Sequence, residues 1–171
     1  MSELRKDPIV DRWVIISDGA VRTPHIPKEG ILPSTGLLCP FCPGNEHLCP
    51  PEILANRPGD SQPNDRHWRL RVVPNRSPIL VVEEDLKRMG EGLYDKISGI
   101  GANEVIIETP RHDVRQSQMD LPELENIFWA YRDRVIDLKR DFRIRYVVLY
   151  KNYGRMAGAT LDHQYSLLMG L

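Results

Sequence analysis

The segment Cys39-Pro-Phe-Cys42-Pro-Gly-Asn-Glu46 constrains the architecture more than any other, because it places two thiols three residues apart in a tight turn. Two thiolates at this spacing can bind one tetrahedral metal ion. A redox dithiol is one alternative, but that motif normally opens a helix after a strand, and here prolines and a glycine follow instead. Unligated core cysteines are the other alternative. The pattern favours a metal, which would order the Pro/Gly-rich stretch from Thr23 to Pro51.

The remaining ligands of such an ion cannot be chosen from spacing. Five histidines and the third cysteine are chemically eligible: His25, His47, His67, His112, His163 and Cys49. At this point the ligand set stays open beyond the first cysteine pair.

Length and charge limit the functional classes. The 171 residues suffice for one good core, and the formal net charge of −1 argues against a nucleic-acid partner, which would reward an excess of Lys and Arg. No apolar run approaches the ~20 residues that span a bilayer, so no membrane association is expected. The first residues are too charged for a secretory signal, and three cysteines fit a disulfide framework poorly. We therefore expect a cytoplasmic protein.

Local patterns predict an α+β fold with a mostly antiparallel sheet. Asp120 is a plausible N-cap of a long helix, with Glu123 as its capping-box partner. Its apolar face would comprise Leu124, Ile127, Phe128, Tyr131, Val135 and Leu138. Apolar runs predict strands at Trp13–Ile16, Trp68–Val73, Ile79–Val82, Glu104–Glu108 and Arg145–Tyr150. Residues 87–102 are expected to form a surface loop or flap, and Leu161 to begin a short helix.

A glycine-rich turn follows the last predicted strand, from Asn152 to Thr160. Glycines there let backbone N–H groups approach an anion closely, which suits a phosphate. An ordinary loop is the alternative. Four arginines are candidate phosphate contacts, although each alone is more often a solvated surface residue: Arg22, Arg71, Arg76 and Arg155.

Several segments, taken in order, resemble the galactose-1-phosphate uridylyltransferase family, a branch of the histidine-triad superfamily. They are Glu3–Pro8 with Arg12–Ile15, Cys39–Glu46 with Pro50–Glu52, Trp68–Asn75, Glu104–His112, and Lys151–Thr160. The resemblance covers nearly the whole chain and implies one histidine-triad-like domain over 1–171, equivalent to the N-terminal repeat of that family. The opening is also similar to adenylyl-transferring plant relatives.

The resemblance implies specific roles for individual residues. It implies structural zinc as cofactor, held by Cys39, Cys42, His112 and His163. It implies nucleotide contacts at Arg22, Asn75, Asn152, Gly158 and Thr160, with Thr160 standing where a serine is usual.

Two positions depart from the family signature His-x-His-x-Gln. The second histidine of that signature attacks the α-phosphorus of the nucleotide, and the glutamine hydrogen-bonds the phosphoryl oxygens. Here these positions hold Tyr165 and Leu167. A phenol, with an ordinary pKa near ~10, is a poor nucleophile at neutral pH. Losing one oxyanion donor typically costs about 10²–10³ in rate.

The family exchanges uridylyl between UDP-glucose and galactose 1-phosphate, so a nucleotide sugar and a hexose 1-phosphate are the implied partners. Family chains are about twice as long, and the second repeat completes their hexose-phosphate site. We therefore expect weak or no transferase activity here. A zinc-stabilised domain that binds nucleotide or protein partners without catalysis is the alternative. Ending after one repeat would expose a strand edge or apolar face, which predicts a possible homodimer.

Overall fold

The computed structural model describes residues 2–16 and 39–171. Within these ranges there are nine strands and one α-helix, with three short 3₁₀ turns at Glu46–Leu48, Gln116–Gln118 and Arg155–Ala157. The strands are β1 (Glu3–Lys6), β2 (Trp13–Ile16), β3 (Leu54–Asn56), β4 (Leu70–Pro74), β5 (Arg88–Glu91), β6 (Tyr94–Ser98), β7 (Ala102–Ile107), β8 (Val147–Tyr150) and β9 (Tyr165–Gly170), and the helix is α1 (Leu121–Leu138). The α+β class is confirmed. Among these residues, no helix is long and apolar enough to cross a bilayer.

The strands form two sheets whose neighbouring strands are all antiparallel. The larger sheet has the order β3-β4-β7-β9-β8, and the smaller has the order β2-β1-β6-β5. Central strands β4, β7 and β9 are buried almost throughout, because both faces of the larger sheet are covered.

Helix α1 covers one face of the larger sheet. Asp120 Oδ1 accepts a hydrogen bond from the Glu123 N–H at 2.9 Å, and Glu123 Oε2 accepts one from the Asp120 N–H at 3.1 Å, so the predicted capping box is confirmed. The helix buries Ile127 and Leu138 against Ile106 and Leu168. The predicted apolar face is wrong at one position, since the Phe128 side chain is 61% exposed.

The opposite face of the larger sheet is covered by residues of the segment 39–49, which contains the cysteine pair. Phe41 and Trp68 pack there against Val73, Val105 and Tyr165. Alternation along β9 therefore sends Tyr165 and Leu167 toward this segment and sends Leu168 toward the helix. The candidate site thus lies on the face of the sheet opposite α1.

Three predictions of local structure are wrong. Residues after Leu161 form strand β9 instead of a short helix, because their backbone groups pair with β7 and β8. Residues 87–102 contain the β5–β6 hairpin instead of a surface loop. The segment Ile79–Val82 is not a strand and makes only an isolated bridge between Val81 and Ile100. The helical span, in contrast, follows the predicted pattern closely.

Candidate nucleotide site beside a four-ligand metal cluster

The side chains of Cys39, Cys42, His112 and His163 converge in the structure. Their four ligand atoms all lie within 4.8 Å of one another. The Sγ of Cys42 is 3.3 Å from Nδ1 of His112 and 3.6 Å from Nδ1 of His163, and the Sγ of Cys39 is 3.7 Å from the same His163 atom. Bonds of ~2.0–2.3 Å to one tetrahedral zinc would place the ligand atoms roughly 3.3–3.8 Å apart. The described residues therefore contain a cluster that can hold a metal ion.

The local chain geometry explains why the two cysteines point inward together. The Cys42 N–H donates to the Cys39 carbonyl at 3.2 Å, and the Asn45 N–H donates to the Cys42 carbonyl at 3.1 Å, which closes two successive turns. The carboxylate of Glu46 accepts hydrogen bonds from the Gly44 N–H at 2.9 Å and from the Trp68 indole N–H at 2.8 Å. This contact fastens the turn to the chain just before β4.

A backbone carbonyl group orients the imidazole ring of His163. Its Nε2 lies 2.7 Å from the carbonyl oxygen of Thr109, so the Nε2–H donates there and leaves Nδ1 as the free ligand atom. The imidazole is 1% exposed, and this burial lowers its pKa from 6.5 to about 4, which keeps it neutral. A neutral imidazole with a fixed tautomer is the form that binds a metal.

The surroundings of Cys42 favour its thiol form over its thiolate form. Burial, and then the neighbouring Cys39, raises the pKa of Cys42 to about 12. A bound divalent cation reverses this, because its charge favours the thiolate. Sulfur and nitrogen donors with an oriented imidazole fit zinc.

The glycine-rich turn lies directly beside the cluster. Tyr165 follows His163 by two residues, and its ring packs edge-on against Phe41 with centroids 5.3 Å apart. The Thr160 N–H donates to the Tyr165 Oη at 3.2 Å, and the two hydroxyl oxygens are 3.1 Å apart. Tyr165 is 5% exposed, so its hydroxyl approaches Thr160 from the interior.

Positive φ angles shape the turn. Gly154 has φ +78° and Gly158 has φ +86°, a region that a side chain makes unfavourable. The Gly154 carbonyl accepts from the N–H groups of Ala157 and Ala159, both at 3.1 Å. A Cβ at Gly158 would lie 3.6 Å from Nδ2 of Asn152, so the Asn152 amide lies close to this backbone. The turn thus places the Asn152 side-chain amide against the backbone at Gly158.

The structure brings together some, but not all, of the predicted nucleotide contacts. Asn152 lies against Gly158 in the glycine-rich turn, and Thr160 of the same turn contacts Tyr165. Asn75 lies at the end of β4, separated from the turn by β7 and β9, and its Oδ1 accepts from the Ser77 N–H at 3.1 Å. Arg22 lies outside the described residues.

Leu167 lies on β9, between β7 and β8 of the larger sheet. Its cross-strand partners are Val105 on β7 and Tyr150 on β8, and Val73 pairs with Val105 in turn. The row Val73–Val105–Leu167–Tyr150 is therefore largely apolar. It offers packing surface, and position 167 itself offers no hydrogen bond to a phosphoryl group.

The phosphate role considered for Arg71 is replaced by a structural one. Its guanidinium is buried, with Nε donating to Glu52 Oε2 at 3.1 Å and Cζ 5.8 Å from the Trp68 ring centroid. Arg71 therefore links β4 to Glu52, which lies just before β3. The phosphate roles of Arg76 and Arg155 stay predictions.

Several groups support the site although no pattern in the sequence indicated their roles. The Thr109 carbonyl is a backbone group, and Phe41 was visible only as the residue inside the cysteine pair. Glu108 is another: its buried carboxylate accepts from Ser166 Oγ at 2.5 Å, from Tyr131 at 2.8 Å and from Lys151. It joins β9, the helix and the residue that precedes the glycine-rich turn.

Known proteins are similar to this sequence over nearly its whole length. The chain is 36% identical to ADP-glucose phosphorylase of Arabidopsis thaliana over 99% of its own length and 48% of that protein. It is 28% identical to galactose-1-phosphate uridylyltransferase of Thermotoga maritima over 95% of its length and 44% of that protein. No protein-family model matches the sequence.

Solved structures show the same likeness. A crystal structure of the Arabidopsis thaliana ADP-glucose phosphorylase with bound ADP-glucose matches all of this chain and 49% of that one, with 33% identity and a TM-score of 0.63. A uridylyltransferase structure matches 99% of this chain and 45% of that one, with 27% identity and a TM-score of 0.69. The chain spans about half the length of the curated relatives it matches.

The sheet, the packed helix and the Cys₂His₂ cluster beside a glycine-rich turn define a histidine-triad-like domain of the nucleotidyltransferase class. Over nearly its whole length, the chain is similar to one half of proteins of the galactose-1-phosphate uridylyltransferase family.

Proposed function

We propose that this chain binds a nucleoside diphosphate sugar at the glycine-rich turn and has little or no nucleotidyl-transfer activity. One observation supports this above all: within the glycine-rich turn Asn152 lies against Gly158, and Thr160 contacts Tyr165, two residues after the cluster residue His163. Backbone N–H groups at positive-φ glycines suit phosphate oxygens. The side chains at 165 and 167 are a phenol and an isobutyl group, neither suited to attack phosphorus or to hydrogen-bond it as an imidazole and an amide would.

The choice of ligand follows from the relatives. The identity is 36% to an ADP-glucose phosphorylase and 28% to a uridylyltransferase, so ADP-glucose is the first candidate and UDP-glucose the second. A hexose 1-phosphate would be the second substrate of any remaining exchange. The N-terminal repeat of the family is the part of the architecture that we assign to 1–171.

We assign zinc to the Cys₂His₂ cluster, with Cys39, Cys42, His112 and His163 as its ligands. The ion would hold the segment before β3 against β9 and leave the chemistry to the turn. Thiolate ligands favour a reducing compartment, which supports a cytoplasmic location. The edge position of β8 in the larger sheet, with Leu149 partly exposed, supports association with a second copy.

The binding proposal is tested with ADP-glucose and UDP-glucose as probes in titration calorimetry. We expect binding by the wild type, and about tenfold or greater weakening by Asn152→Ala, because a hydrogen bond to a charged phosphate is lost. Asn126→Ala is the matched control: its Oδ1 accepts from Asn56 on the helix side of the sheet. The proposal fails if neither nucleotide sugar binds at millimolar concentration, or if the two variants weaken binding equally.

A further inference from the structure

We propose that the Tyr165 hydroxyl occupies the phosphate position of the glycine-rich turn, so that a bound nucleotide must displace it. This inference rests on the proposed function, since it concerns the same site. The Tyr165 Oη accepts the Thr160 N–H at 3.2 Å and lies 3.1 Å from the Thr160 hydroxyl. These two groups are the donors that the turn offers to an anion at this position.

The oxygen of a phenol satisfies the same donors as a phosphoryl oxygen. Thr160 is solvent-exposed, whereas Tyr165 is buried below it, so a nucleotide approaches from outside and the tyrosine hydroxyl from inside. Both oxygens would compete for one N–H. In the free protein, the Thr160 N–H is already hydrogen-bonded to Tyr165. Nucleotide binding therefore replaces this hydrogen bond by one to a phosphate oxygen.

The ring of Tyr165 is fixed, so its hydroxyl is held in the contact. Phe41 packs edge-on against it at 5.3 Å, and the ring belongs to the apolar cluster with Val105 and Ile107. A phenylalanine at 165 would keep this packing and remove only the oxygen. Residue 165 therefore determines how strongly the turn binds phosphate, apart from any part in catalysis.

The size of the effect follows from the one hydrogen bond exchanged. An intramolecular hydrogen bond has a modest net contribution, which corresponds to about two- to tenfold in affinity. Tyr165→Phe should bind ADP and UDP tighter by this factor. Adenosine and uridine, which lack phosphate, should bind wild type and variant alike.

Titration calorimetry with these four probes tests the inference. Tyr146→Phe is the matched control, because it removes a phenol oxygen from an exposed side chain just before β8, at the end of that strand away from the turn; we expect unchanged affinity for ADP and UDP. A gain confined to the phosphate-bearing probes in Tyr165→Phe supports the inference. Unchanged or weaker binding in that variant, or an equal gain for the nucleosides, overturns it and leaves the proposed function standing. If no protein binds ADP or UDP, both the inference and the proposed function fail.

A second measurement uses the wild type and needs no variant to fold. The Thr160 amide exchanges its tyrosine partner for phosphate when ADP binds, so its nitrogen and proton resonances should shift strongly, and adenosine should not shift them. A Thr160 amide that is insensitive to saturating ADP overturns the inference.

Discussion

Cys39→Ser is expected to lose the metal and to melt at least about 10 °C below the wild type. Binding energy at a structural zinc site is folding energy, with apparent values of ~10–16 kcal/mol in zinc-finger peptides. This domain has a second core on the helix side, so only part of that energy should appear as lost stability. A loss of several kcal/mol shifts the melting temperature of a domain this size by about 10 °C or more.

Cys49→Ser provides the control for this prediction. It makes the same chemical change ten residues along the chain, where Cys49 Sγ donates to the Pro40 carbonyl at 3.2 Å and lies outside the ligand set. Metal content by mass spectrometry and melting by circular dichroism should separate the two variants. Equal metal content, or equal melting temperatures, would contradict the assignment of Cys39 as a ligand.

Arg134→Met is expected to destabilise the fold by about 3–5 kcal/mol, because it leaves a buried carboxylate without its partner. Arg134 on α1 donates to Glu104 on β7 through Nε at 2.8 Å and through Nη2 at 2.7 Å. Their side chains are 8% and 6% exposed. This bidentate pair fastens the helix to the sheet from behind the candidate site. Urea denaturation measures the loss.

Two further variants test whether the lost stability comes from the unpaired buried charge. Arg140→Met removes a guanidinium that is 77% exposed and 3.4 Å from Asp137, so we expect less than about 1 kcal/mol. The double variant Glu104→Leu, Arg134→Met removes both charges and should recover most of the lost stability, since buried pairs often contribute little beyond an apolar replacement. A single-variant loss no larger than that of Arg140→Met would refute the buried-charge argument.

Local signals predicted the helix well and the ninth strand wrongly. Asp120 and Glu123 form a capping box within four residues, so the start of α1 is encoded locally. Strand β9 is buried on both faces, and its apolar run has no clean alternation that would distinguish a strand from a short helix. Its conformation is set by pairing with β7, some sixty residues earlier.

The β5–β6 hairpin was not predicted for a different reason. Its strands are mostly exposed and polar, so hydrophobic patterning gave no strand signal. The one local signal was Gly92, which has φ +61° in the connection between Glu91 and Tyr94. A glycine in a polar stretch is equally typical of a surface loop, so it did not distinguish the two.

The four residues of the metal-binding cluster could be named from the sequence, whereas the groups that support them could not. The cysteine pair is local, and the resemblance supplied His112 and His163, which the structure then placed within ligand distance. The Thr109 carbonyl and the Glu46–Trp68 hydrogen bond depend on segments brought together only by the fold. The contact between Tyr165 and Thr160 could not be predicted, because it depends on the path of the turn.

Intact-mass spectrometry of the wild-type protein, after incubation with ADP-glucose or UDP-glucose and denaturation, tests the central claim most directly. The account predicts an unchanged polypeptide mass under conditions where calorimetry shows binding. The variant Tyr165→His, Leu167→Gln, incubated in parallel, restores the imidazole and the amide. An added adenylyl or uridylyl mass on the wild type that is absent from Tyr165→Phe would contradict the claim that this chain binds nucleotide without forming a covalent intermediate.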